Sequence, residues 1–109
     1  MTPRQEAFYY CSLAYVYANT RLEKGDKTYK RANTCLLKVM DSLAAKLTEK
    51  QKAKVINILE KDIKTKMPDA FDYQDYIARA MDIIRRGKER KLNSLLTLAV
   101  LGINEEEVS

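Results

Sequence analysis

AFYYCSLAYVYANT, residues 7–20, runs fourteen positions without a charge in a chain where 32% of residues are charged. Five of the nine aromatic residues sit inside it: Phe8, Tyr9, Tyr10, Tyr15 and Tyr17. At about 100° per residue, Phe8, Cys11, Tyr15, Ala18 and Leu22 share one helical face, while Tyr9, Tyr10, Leu13, Val16 and Tyr17 lie on the other. A helix that is apolar all round belongs at the centre of a bundle or shows its second face to a partner.

Punctuation on either side of this stretch defines the rest. Thr2-Pro3 reads as an N-cap followed by proline in the first turn. Gly25 suits a left-handed C-terminal position, and Asp26 can start the next segment. Thr48 and Gln51 form a capping box, Pro68 ends a third helix, and Asp69 or Asp72 caps a fourth. Gly87 and Gly102 fit two further stops. The expected helices are 3–24, 27–47, 49–66, 70–86 and 89–101.

Apolar spacing agrees with these limits. Tyr29, Ala32, Leu36, Val39, Met40, Leu43 and Leu47 make one stripe on the second helix. Val55, Ile56, Leu59, Ile63 and Met67 do so on the third, and Tyr73, Ile77, Ala80, Met81 and Ile84 on the fourth. Nothing alternates with period two, and no hairpin turn dipeptide occurs. The fold class is therefore all-α: a compact single-domain bundle of about five helices over residues 1–102, with residues 103–109 as a flexible acidic tail.

The second uncharged run, residues 92–104, belongs to the fifth helix. Helices one and five are expected to pair centrally, wrapped by the charged helices. Enclosing two such helices completely is difficult in 109 residues. Tyr9, Tyr10, Leu13, Tyr17, Leu98 and Leu101 are therefore the candidate interface with a protein partner or a second copy, since tyrosine offers area and tolerates water. Neither run reaches the roughly 20 residues of a bilayer span, so no membrane partner is expected. One arginine before the first run makes a poor signal peptide, which points to the cytoplasm.

The net charge of +5 is unevenly distributed. Lys50, Lys54, Lys61 and Lys64 share the side of the third helix opposite its apolar stripe, with Asn57 in the row. They could follow a phosphate backbone, or form a solvated face with Glu60 and Lys64 as an i,i+4 pair. Denser still are Arg85, Arg86, Lys88, Arg90 and Lys91, five basic residues in seven. Cations suit the end of the fourth helix, but they oppose the dipole at the start of the fifth. Such an exception to local preference marks a candidate anion or nucleic-acid site.

Catalysis finds little support. The chain has no histidine, which removes the commonest general base and metal ligand. Three isolated glycines cannot build a phosphate loop. Asp69, Asp72 and Asp75 could hold Mg²⁺ for a nucleotide hydrolase, yet acids at a helix start serve capping equally well. Cys11 and Cys35 read as small buried hydrophobes, although a bridge between them would fit the helix assignment. The sequence thus predicts a non-catalytic adaptor, regulator or inhibitor without metal or cofactor, docking through helices one and five. Nucleic-acid binding through the basic residues is the alternative, and a hydrolase a distant third.

Overall fold

A computed structural model describes residues 1–65, 68–87 and 91–108, with side chains through residue 100 except that of Ala70. Its helices are α1 (Pro3–Glu23), α2 (Lys30–Ala44), α3 (Glu49–Thr65), α4 (Ala70–Arg86) and α5 (Lys91–Val108), with a 3-10 turn at Lys27–Tyr29. The described residues contain no strand. The all-α bundle of five helices is the observed architecture.

Capping chemistry accounts for most boundaries. At α1, the Gln5 amide donates to Thr2 Oγ1 at 3.2 Å, and the Thr2 amide donates to Gln5 Oε1 at 2.9 Å. This satisfies two of the N–H groups that a helix start leaves without internal partners. Thr48 with Gln51 and Asp69 with Asp72 repeat the arrangement at α3 and α4. At the end of α1, Gly25 takes φ 95°; its amide donates to the Leu22 carbonyl, and that of Asp26 donates to Arg21. That pair of bonds forms a Schellman motif, which needs a left-handed residue at the glycine position.

Three boundaries differ from expectation, one of them the end of α2 at Ala44, three residues short of the expected 47. The second helix breaks into the 3-10 turn and α2 because the Asp26 side chain caps Thr28, tightening the entry before α-helical bonding begins. α5 continues past Gly102 to Val108; glycine inside a helix costs only about 1 kcal/mol relative to alanine, which need not end it.

α1 occupies the centre and packs against α2, α3 and α4. Ala7, Phe8, Cys11, Leu13, Ala14 and Ala18 are all buried, so its burial extends around most of the helix. Its buried polar groups are satisfied. Ser12 donates to the Phe8 carbonyl at 2.7 Å, and Gln5 Nε2 donates to the Gln51 carbonyl of α3. The expected central pairing of α1 with α5 is not found: α5 packs on α2 and α4 through Leu92, Leu96 and Ala99. Three other helices already cover most of α1, whose Tyr9, Tyr10, Tyr15, Val16 and Tyr17 remain half-buried.

The stripes of α2 and α4 are inward as expected, with Met40 and Met81 half-buried at their edges. α3 differs. Val55 and Leu59 are buried, Ile63 is half-buried, and Ile56 is 45% exposed. α3 rests chiefly on one helix, so its buried stripe is narrow and Ile56, about 60° from the stripe centre, falls outside it. Met67 lies outside the described residues. Cys11 and Cys35 are free thiols, both buried, and desolvation pushes the Cys11 thiol up to about 12. No helix among the described residues is long and apolar enough to cross a membrane.

Candidate functional site

The tyrosine face of α1 is largely consumed inside the molecule. Tyr17, Tyr29 and Tyr73 form a three-ring cluster with centroids 5.3–5.6 Å apart. Tyr73 also donates to the Ala99 carbonyl at 3.3 Å, tying α4 to α5. Tyr10 stacks on Tyr76 at 6.1 Å, and the Arg79 guanidinium lies 5.8 Å from the Tyr10 ring centre. Tyr9 meets Tyr10 edge-on and donates its hydroxyl to Asp62 of α3. Desolvation is the main cause that raises the phenol pKa of Tyr9, Tyr29 and Tyr73, with nearby anionic or phenolic groups adding to it.

Of the expected interface residues, Leu13 is core at 3% exposure. Its place among α1, α3 and α4 corrects its assignment to an outer face, because the face opposite Phe8 is also covered. Tyr9, Tyr10 and Tyr17 are half-buried. Leu98 is 45% exposed on α5, while the side chain of Leu101 lies outside the described residues.

The basic candidates have the opposite fate. Lys50, Lys54, Lys61 and Lys64 are all exposed on the outer face of α3, a row about 21 Å long at 1.5 Å per residue. Among the described residues none of the four has an ion-pair partner, and the expected Glu60–Lys64 pair is not formed; the ion pair on α3 joins Lys52 and Glu49 at 2.7 Å. Arg85, Arg86 and Lys91 are exposed at the α4–α5 junction, with Arg86 bonded to Asp82 at 3.0 Å. Lys88 and Arg90 lie outside the described residues.

Two adjoining clefts mark the same end of the bundle. The first, about 290 Å³, has a largely apolar lining of Pro3, Ala7, Leu43, Ile83 and Ile84, with Arg4, Lys46 and Gly87 completing it. The second, about 300 Å³, shares Pro3, Arg4 and Lys46 and reaches Gln51. This end therefore gathers the starts of α1 and α3 and the ends of α2 and α4. No sequence reasoning pointed to these clefts, because their walls come from helices that meet only on folding.

The aspartate cluster is engaged structurally. Asp69 and Asp72 exchange the capping bonds described above, and Asp75 accepts from Arg79 at 2.8 Å. Among the described residues, no three Cys, Asp or Glu side chains converge on a point suited to a metal ion. The same helix start holds a residue that the stripe pattern passed over: Phe71 is 79% exposed. Its position, off the Tyr73–Ile77–Ala80–Ile84 face, was the available signal. No family model, curated protein or solved structure matches this chain.

Proposed function

We propose that this protein is a non-catalytic interaction module that docks a polyanion, nucleic acid first, along the outer face of α3. The observation that carries this reading is the row Lys50, Lys54, Lys61 and Lys64, exposed and without ion-pair partners among the described residues. Lysines in a row release condensed counterions when phosphates take their place, so such a surface binds with a steep salt dependence and little sequence preference. Arg85, Arg86 and Lys91 add positive charge at the end of the bundle where α3 begins. The absence of histidine supports a binding role over an enzymatic one.

A second reading, docking on a protein through α5, draws support from Leu98, which leaves an apolar side chain in water at 45% exposure. The α1 half of that surface is weaker, since its tyrosines already pack against α4 and the 3-10 turn.

Fluorescence anisotropy with mixed-sequence DNA and RNA oligomers, from low to physiological salt, separates the two. Under the polyanion reading, binding persists at physiological salt. The triple change Lys54→Ala, Lys61→Ala and Lys64→Ala then weakens it at least tenfold and flattens the salt slope by about one unit per lost phosphate contact. Binding that vanishes by physiological salt, or that the triple change leaves intact, overturns it.

A further inference from the structure

We infer that this protein associates head to tail with copies of itself, Phe71 of one protomer seating in the apolar cleft between α1, α2 and α4 of the next. Phe71 is the most exposed large apolar side chain among the described residues, at 79%. It occupies the second position of α4. Helical side chains lean toward the N-terminus, so from this position the ring projects toward that end of α4, away from the cleft. Burying such a ring removes a large apolar area from water, a gain that no contact within the chain provides.

The cleft offers what the ring lacks. Its volume of about 290 Å³ accommodates a phenyl group, and exposed Pro3 and half-buried Ile83 wall it above a floor of the buried Ala7, Leu43 and Ile84. Charge selects the occupant. Arg4 and Lys46 line the cleft, whereas Asp69 and Asp72 flank Phe71; Asp75, one turn further, is ion-paired with Arg79, so the acidic character around the ring comes from Asp69 and Asp72. An acidic rim around an apolar knob meets a basic rim around an apolar cleft, which is the complementarity a second copy brings.

Both halves of the contact belong to α4, the knob in its first turn and a cleft wall of Ile83, Ile84 and Gly87 in or beyond its last. Phe71 and the Ile83–Ile84 wall are separated by about 19 Å along the helix. A protomer whose knob is seated still presents its own cleft, so the contact is heterologous and propagates rather than closing as a twofold dimer.

Sedimentation velocity up to millimolar protein tests this, with circular dichroism confirming that each variant folds. Wild type gains mass with concentration. Phe71→Ser, and separately the rim variant Arg4→Glu with Lys46→Glu, remain monomeric. Mixed together they yield a dimer and nothing larger, since one supplies an intact cleft and the other an intact knob. A wild type that stays monomeric, a Phe71→Ser protein that associates as wild type does, or a mixture that stays monomeric overturns the proposal. Raising the salt weakens the wild-type association at least tenfold; association strengthened by salt contradicts the charge pairing.

Discussion

Tyr9 and Asp62 are 53 residues apart in the chain and share a hydrogen bond, the tyrosine hydroxyl donating to the carboxylate. With the Gln5–Gln51 bond it fastens α3 to α1, the helix on which α3 chiefly rests. The bond orients the lysine face as well. Because Asp62 turns inward to Tyr9, neighbouring Lys61 and Lys64 turn outward.

Tyr9→Phe keeps the ring and removes the donor. A hydrogen bond to a charged group in a partly exposed site contributes about 1 kcal/mol. Chemical denaturation should show that loss for Tyr9→Phe and a similar one for Asp62→Asn. The double variant should lose less than the sum, the signature of direct coupling.

Leu13 and Leu98 should behave oppositely. Leu13→Ala opens a cavity beneath α3 and α4 and should cost about 2–5 kcal/mol. Leu98→Ser, at an exposed site, should stay within about 0.5 kcal/mol. Thermal melts distinguish them clearly, and equal losses would contradict the arrangement of α1 and α5.

Gly25 adopts φ 95° with no atom near the position a Cβ would occupy. Gly25→Ala therefore pays only backbone strain, about 1 kcal/mol, and Gly25→Asn should recover part of it because asparagine tolerates the left-handed region.

Alkaline titration provides a fourth check. Tyr9, Tyr29 and Tyr73 have raised phenol pKa values, so the folded state retains protons that the unfolded chain releases above about pH 10. Their contribution to stability is whole below that pH and declines as pH rises toward the folded values. Tyrosinate absorbance should appear in two phases, the later one coinciding with loss of helical circular dichroism. A single early phase would show the cluster to be open to solvent.

Much of the fold was legible because helix limits are local. Thr2, Gly25, Thr48 and Asp69 act on backbone groups within a few residues of themselves, and the stripes of α2 and α4 follow from periodicity. The lysine row of α3 was legible for the same reason: residues spaced by three, four and seven must share a side. The fate of the tyrosines was not. A tyrosine suits an interface and a half-buried interior equally, and only a ring arriving from another helix, such as Tyr73 beside Tyr17, decides between them. Ile56 was misassigned because its apolar character is local, whereas the number of helices covering α3 is not.

The sequence by itself determined that this chain is helical, where α1, α3 and α4 begin, and that positive charge lines one side of α3. Each of these depends on interactions within about one helical turn. Only the tertiary structure decided that α1 is enclosed by three neighbours and that α5 packs away from it. It alone brought Pro3, Leu43 and Ile84 around one cleft and left Phe71 in water at the other end of α4. Those outcomes depend on which faces compete for the same partner, a contest that local spacing cannot resolve.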